Sequence, residues 1–325
     1  MRFLASSILR RVAHAVPALI GIALIAFVLL SLAPGDLVDI LAADGAVQDD
    51  VTAAQLRAQY GLDQPVIVQA LYYLRDVARL DLGFSPIHGL PVADLIFDRL
   101  PATILLMMSS ILLAVIVGVS LGLISGRNVN TWRDVVASVF AALFFAAPSF
   151  WVGLMLMVGF SIKLGWLPVS GMVTIGADYG PLGRVLDTCT HLVLPTAALG
   201  LFYAAIYARV MRSAVLQVSV MDFVETARAK GVPERAITLR HVLGNAILPV
   251  VTLVGLQMGT VLAGSVVIEQ VFSWPGVGTL LFDAVMARNL SIVMGVLILG
   301  SILVVISNLV IDILYYWLDP RIQIQ

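Results

Sequence analysis

Apolar runs long enough to cross a bilayer recur six times along the chain, with polar segments between them. A spanning helix needs roughly 20 apolar residues. We predict an all-α membrane protein with six transmembrane helices over about 12–33, 102–124, 135–162, 192–208, 246–268 and 291–317. The fourth run is the shortest. The first is too long for a signal peptide and lacks a small-residue cleavage site, so we expect it to be retained as an anchor.

The polar segments divide the chain into an N-terminal anchor (1–33), a long outer loop (34–101) and a core of five spans (102–325) containing the cytoplasmic loop 209–245. In the outer loop, apolar residues at helical spacing predict one or two short amphipathic helices. These residues are Ile67, Leu71, Leu74 and Ala78. Such helices either lie over the outer mouth of the bundle or simply pack on the spans.

The distribution of basic residues predicts the orientation of the spans. With the N-terminus inside, the inner segments hold 12 Lys and Arg residues, and the two short outer loops hold 3. Basic residues are enriched in short cytoplasmic loops. We therefore expect both termini to be cytoplasmic.

Composition excludes several classes of function. The chain is 60% hydrophobic and 12% charged, whereas soluble proteins are about one quarter charged. A net charge of −1 gives no reason to expect a nucleic-acid partner, and one cysteine with four scattered histidines gives none to expect a metal. The two lysines, Lys163 and Lys230, are followed by Leu164 and Gly231, so neither belongs to a P-loop. We expect no catalytic site and no cofactor.

Small and polar residues inside the spans leave alternatives open. Gly118, Gly122 and Gly126, at four-residue spacing, allow close helix packing, either within the chain or at a partner interface. Polar stripes follow the fifth and sixth spans, where they either line a pathway or form helix–helix hydrogen bonds. The stripes comprise Gln257, Thr260 and Gly264, and Ser301, Asn308 and Asp312.

The segment DFVETARAKG at 222–231 is densely charged between uncharged stretches. Asp222 followed by Glu225 is typical of a capping box, and Gly231 suits the left-handed residue that ends a helix. We predict a rigid helix of about eight residues, followed by a second helix whose first turn holds Pro233 and Glu234. Such a helix either lies against anionic lipid head groups or docks a cytoplasmic partner.

ETARAKG and the later RHVLGNAILPVVT resemble the signature loop, the EAA motif, of ATP-binding cassette (ABC) importer permeases. Residues Glu225, Ala227, Gly231, Leu248 and Pro249 match it, and Thr226 replaces an alanine. The long spacing from Gly231 to Pro249, together with GLDQP, DLGFS, RLPATILL and EQVFSWPGVGTLL, resembles the dipeptide/oligopeptide/nickel branch over nearly the whole chain. Leu80 and Asn289 depart from that branch.

The resemblance implies a type I ABC importer permease bundle and assigns roles to its matched segments. It implies a coupling helix seated on an ATPase subunit, formed by Asp222, Glu225, Thr226, Ala227, Arg228, Ala229, Lys230 and Gly231. It implies a non-helical turn near an outer gate at FSWPGVG. Our candidates for the gate and pathway are Gln257, Glu269, Phe272, Pro275, Gly276, Gly278, Asn308 and Asp312.

The implied partners are a second, homologous permease in a heterodimer, two cytoplasmic ABC ATPase subunits and an external substrate-binding protein, in the bacterial cytoplasmic (inner) membrane. The substrate stays open between dipeptides, oligopeptides, nickel chelates and glutathione-like molecules. Two alternatives are a secondary transporter driven by an ion gradient, which predicts inverted repeats, and a membrane scaffold or receptor.

Overall fold

The computed structural model describes residues 2–32, 63–85, 87–177 and 179–318, with side chains described from residue 16 except at 258–264 and 310–318. The helices are α1 (Arg2–Leu32), α2 (Val66–Ala78), α3 (Val92–Arg127), α4 (Trp132–Ala146), α5 (Ser149–Leu156), α6 (Pro181–Ser219), α7 (Asp222–Ala229), α8 (Glu234–Ala236), α9 (Leu243–Ala246), α10 (Leu248–Val271), α11 (Val277–Met286) and α12 (Leu290–Leu318). Wider π-helical turns continue α5 through Met157–Lys163 and join α8 to α9 through Ile237–Val242. A two-stranded antiparallel hairpin pairs β1 (Phe84–Ser85) with β2 (Leu90–Pro91).

Long apolar helices dominate the described residues, which confirms the prediction of an all-α membrane protein. Within the described residues, four stretches have the length and hydropathy to cross a bilayer on their own: Val92–Arg127, Pro181–Ser219, Glu234–Gln257 and Leu290–Leu309. They overlap the second, fourth, fifth and sixth predicted spans. Residues 12–32 of the first predicted span lie in α1.

The third predicted span, 135–162, is not one continuous helix. The chain bends by 105° between α4 and the helix Ser149–Lys163. Pro148 lacks a backbone N–H and disfavours helical geometry in the residue before it. Ala147 accordingly has extended backbone angles, φ −80° and ψ 131°. Hydropathy averaged along the segment did not register this single break.

The fourth predicted span, 192–208, lies within α6, which has 39 residues and continues to Ser219. Beyond the predicted span, Arg212 has a buried partner: its Nε and Nη2 donate to the two carboxylate oxygens of Asp134, each at 2.9 Å. Ser125 Oγ also donates to Asp134. The ion pair therefore joins α6 to α4.

The chain forms two compact units. The first contains Met1–Leu100 and Leu280–Gln325, in which α1 packs against α12 and α2. The rings of Phe27 and Tyr73 lie 5.8 Å apart at the contact of α1 with α2. The amphipathic helix α2 confirms one predicted outer-loop helix, but the predicted apolar face is largely solvent-exposed, with Ile67 at 77% and Leu71 at 59%.

Asn289, one of the two departures from the peptide-importer pattern, joins two elements of the first unit. Its Nδ2 donates to Ser85 Oγ at 2.8 Å, and its Oδ1 accepts from the Ile292 backbone N–H at 3.4 Å. The side chain therefore fixes the β1–β2 hairpin to the start of α12. Leu80, the other departure, adopts a left-handed backbone with φ 62°.

The second unit is Pro101–Thr279, in which α6 packs against α4, α5 and α10. The glycines of α3 lie on the surface of α6. A Cβ at Gly118 would lie 2.7 Å from Tyr207 Cβ, and one at Gly122 would lie 2.5 Å from Met211 Cβ. The stripe therefore packs helices within the chain, the first of the two predicted alternatives.

Candidate functional site

The predicted charged helix is present as α7, and it has the predicted eight residues. Its N-terminus differs from the prediction, because Met221 is the N-cap and no side chain caps the helix. The Met221 carbonyl accepts from the N–H of Val224 at 2.9 Å and of Glu225 at 3.3 Å. Asp222 is instead the first helical residue, where its negative charge suits the helix dipole. The capping-box prediction was therefore wrong, because the helix begins one residue earlier than it requires and has no capping side chain.

The C-terminus of α7 ends as predicted, at a glycine in the left-handed region. Gly231 has φ +74°, and its N–H donates to the Arg228 carbonyl at 3.0 Å. The Val232 N–H donates to the Ala227 carbonyl at 3.2 Å, which completes a Schellman motif. Pro233 is the N-cap of α8. It therefore lies one position before the first turn, whereas the sequence predicts it in the first turn.

One face of α7 packs on the second unit and the other is exposed. Val224 and Ala227 are buried in its hydrophobic core, together with Val218 and Ile237. Ala227 therefore does not lie on the free surface of the helix. The exposed predicted residues are Asp222, Glu225, Thr226, Arg228, Ala229, Lys230 and Gly231. Phe223 adds an aromatic side chain to this surface, with 40% of it exposed.

A carboxylate outside the predicted set joins α7 to α3. Glu234 Oε1 accepts from Arg228 Nε at 2.7 Å, and Glu234 Oε2 accepts from Arg127 Nη2 at 3.1 Å. Arg127 Nη1 also donates to the Glu234 carbonyl at 3.0 Å. The hydrogen bond to Glu234 raises the pKa of Arg228. Arg127 and Glu234 are 107 positions apart in the chain, so local sequence patterns could not pair them.

The first five residues of FSWPGVG, Phe272–Gly276, form a non-helical turn between α10 and α11, as the resemblance implied, and Val277 begins α11. Glu269, just before the turn, is fully buried. Its carboxylate accepts from Thr103 Oγ1 at 2.8 Å, from the Thr279 N–H at 3.0 Å, and from the Gly278 N–H and the Ser265 side chain. The carboxyl group therefore lies at the N-terminus of α11, where backbone N–H groups that lack a partner within the helix donate to it.

Three further contacts fix the turn. Thr103 Oγ1 accepts from the Val277 N–H at 2.8 Å, and Trp274 Nε1 donates to the Ala102 carbonyl at 2.8 Å. The Phe272 carbonyl accepts from the Gly171 N–H at 2.8 Å. Thr103, in the RLPATILL motif, was missed as a site residue because its partner Glu269 is 166 positions away.

The glycines of the turn are required by the buried carboxylate. A Cβ at Gly278 would lie 2.7 Å from Glu269 Oε2, and one at Gly276 would overlap the same carboxylate. Pro275 lies between Trp274 and Gly276, where the backbone N–H of Gly276 donates to the Trp274 carbonyl at 2.7 Å. Glu269, Phe272, Pro275, Gly276 and Gly278 therefore form one cluster, in which Glu269 organises the turn.

The remaining pathway candidates are not part of this cluster. Gln257 is half-buried in α10, about 18 Å along the helix from Glu269. Asn308 is exposed on α12, and the side chain of Asp312 lies outside the described residues. Among the described side chains, His, Cys, Asp and Glu nowhere form a group of three that could hold a metal ion.

The long apolar helices, with the charged and exposed helix α7 between them, define a multi-pass membrane protein. Residues 118–324 match the family model of the binding-protein-dependent transport system inner membrane component. Residues 1–107 match the N-terminal model of such membrane components. The chain belongs to this family, which confirms the resemblance.

Curated relatives match nearly end to end. The oligopeptide transport system permease protein AppB of Bacillus subtilis is 37% identical over 98% of this chain and 100% of its own. The glutathione transport system permease protein GsiC of Salmonella choleraesuis is 38% identical over 97% of this chain and 98% of its own. These relationships favour the importer permease over the ion-gradient-driven carrier.

A solved structure supports the fold. The inward-facing MetNI methionine ABC transporter matches with a TM-score of 0.54 and 17% identity, over 69% of this chain and 96% of that one. At this identity the likeness concerns the fold alone.

Proposed function

We propose that this chain is a permease subunit of an ATP-driven importer of the dipeptide/oligopeptide type. In the proposed topology, six spans cross the bacterial cytoplasmic membrane with both termini inside. A second, homologous permease supplies the other half of the pathway, two cytoplasmic ATPase subunits supply the energy, and an external binding protein delivers the substrate. Full-length relatives named as peptide and glutathione permeases support the substrate class.

The observation that carries the mechanism is the construction of α7. A helix of eight residues is marginal in water on its own. Here Val224 and Ala227 anchor it to the core, a Schellman motif ends it, and Glu234 links it to α3. The remaining face, from Asp222 to Lys230, is exposed. A helix held in this way transmits a push on its exposed face to the spans.

In the proposed cycle, closure of the two ATPases displaces α7 and moves the permease between inward-open and outward-open states. Glu225 contacts a basic group of the ATPase cleft, and Gly231 provides the turn that leads back to the spans. The FSWPGVG turn, fixed by Glu269 and Thr103, acts at the outer gate. The permease has no catalytic site, and ATP hydrolysis takes place in the ATPase subunits.

The test replaces Gly231 with valine or with asparagine in the reconstituted complete transporter. A Cβ at Gly231 meets no atom within 4 Å, so only its φ of +74° resists substitution. Valine disfavours this geometry strongly, whereas asparagine tolerates it. Gly231→Val should insert into the membrane normally but lose substrate uptake and substrate-stimulated ATP hydrolysis. Gly231→Asn should retain both uptake and stimulated hydrolysis. Equal, unimpaired uptake by the two variants would contradict the coupling role.

A further inference from the structure

A second arginine, Arg209, lies beside the Asp134–Arg212 ion pair. Its guanidinium lies 4.7 Å from the centre of the Phe145 ring. Both oxygens of Asp134 are occupied by Arg212. In the described part of the chain, no other carboxylate reaches ion-pair distance of Arg209. Among the described side chains, the positive charge of Arg209 is therefore left without a carboxylate partner.

Arg209 and Arg212 line a cavity of about 290 Å³ formed by α3, α4 and α6. Leu121 and Ala141 contribute apolar surface, and Ser138 contributes a hydroxyl. A concave apolar wall with a few convergent polar groups is typical of sites that bind small molecules. The free charge indicates an anionic group as the ligand.

In the proposed topology, Arg209 directly follows the fourth span (192–208), and its guanidinium reaches back into the membrane over the ring of Phe145. Phe145 is ten residues into the third span (135–162), or about 15 Å along the helix. The hydrocarbon core is about 30 Å thick. Helical side chains tilt towards the N-terminus of their helix, so the side chain of Arg209 extends away from the cytoplasmic end of α6. This direction is opposite to that of an arginine that snorkels to the nearest head groups.

The helix break next to Phe145 argues against a hydrocarbon environment for this face. Broken backbone at membrane depth is tolerated only inside protein or beside a water-filled cavity, and the break at Ala147–Pro148 is two residues from Phe145. An unpaired arginine facing hydrocarbon is also costly. Both features are accommodated if this face borders the aqueous translocation pathway.

We propose that Arg209 binds a carboxylate of the transported substrate, an assignment that rests on the proposed function. Guanidinium and carboxylate form two parallel charge-assisted hydrogen bonds. Ser138 and Arg212 lie in the same cavity, and the Phe145 ring supports the guanidinium. Phe145 is itself stacked on Phe202, with ring centres 6.3 Å apart and planes 7° from parallel. The charged group is thus held in place before the ligand arrives.

The experiment measures uptake of tri-alanine and of its C-terminal amide by the complete transporter in liposomes, with binding-protein occupancy matched for the two peptides. Arg209→Gln should lower uptake of the carboxylate form about tenfold, and of the amide less than about twofold. Arg209→Lys keeps the positive charge, so it should lower uptake of the carboxylate form less than Arg209→Gln does. The control Arg133→Gln removes an arginine that lies over the exposed Trp132. It should change the uptake of either peptide by less than about twofold.

If Arg209→Gln lowers the uptake of both peptides equally, or lowers neither, the proposal is overturned. Repeating the assay in liposomes with and without phosphatidylglycerol tests a lipid phosphate as the occupant. An Arg209→Gln effect confined to the anionic liposomes would also overturn it. Co-purification of the ATPase and basal ATP hydrolysis should be unchanged by the control Arg133→Gln. Absence of an ATPase from the wild-type preparation would instead refute the proposed function.

Discussion

Removal of the Glu269 carboxylate should destabilise the permease through the backbone donors that it satisfies. Glu269→Ala leaves the N–H groups of Gly278 and Thr279 buried without an acceptor. Each such donor costs about 1–3 kcal/mol, so the expected loss is about 2–6 kcal/mol. The substitution also removes the acceptor for the Thr103 hydroxyl. Glu269→Gln keeps one carbonyl oxygen as an acceptor, so its stability should lie between that of the wild type and that of Glu269→Ala.

The assay is thermal unfolding of the purified protein in detergent. Because the entropy of unfolding grows with chain length, the loss corresponds to a fall in melting temperature of at least about 3 °C for a chain of this size. Glu234→Ala is the matched control, because it removes a carboxylate that is 52% exposed, and exposed ion pairs contribute about 0–1 kcal/mol. If Glu269→Ala melts within about 1 °C of the wild type, the carboxylate does not organise the turn.

Three further variants test the remaining contacts. Gly122→Leu should prevent accumulation of folded protein in the membrane, because a Cβ there would lie 2.5 Å from Met211 Cβ; normal amounts on an immunoblot would contradict the packing. Asp134→Asn weakens the partner of Arg212 and should lower stability by about 1–3 kcal/mol, measured by thermal unfolding; an unchanged melting temperature would show that the ion pair is dispensable. Glu234→Gln should lower substrate-stimulated ATP hydrolysis with little change in melting temperature, whereas equal hydrolysis rates would exclude Glu234 as a coupling link.

Local patterns predicted the elements whose determinants are local. The predicted span 291–317 became α12, Leu290–Leu318, because its long apolar run contains no proline. The length of α7 and its end at Gly231 followed from residues within ten positions. Met221 replaced Asp222 as N-cap because a carbonyl can receive the first backbone donors without a capping side chain.

Contacts between distant residues account for what the sequence did not predict. The ion pair of Arg212 was not predicted, because its partner Asp134 lies 78 positions away in the sequence. Glu269 was predicted at the gate, but its role there depends on Thr103, which is distant in sequence. The break at Pro148 is set by one residue and is lost when hydropathy is averaged over a span.

The central claim is that the exposed face of α7 docks on an ATPase, and photo-crosslinking tests it directly. Benzoylphenylalanine in place of Phe223 puts an aromatic probe on that face, and the same probe in place of Trp166, 69% exposed in the loop after α5, is the control. Irradiation of cells should join position 223, and not 166, to a subunit that mass spectrometry identifies as a P-loop ATPase. Capture of the ATPase from position 166, with none from 223, would contradict the account.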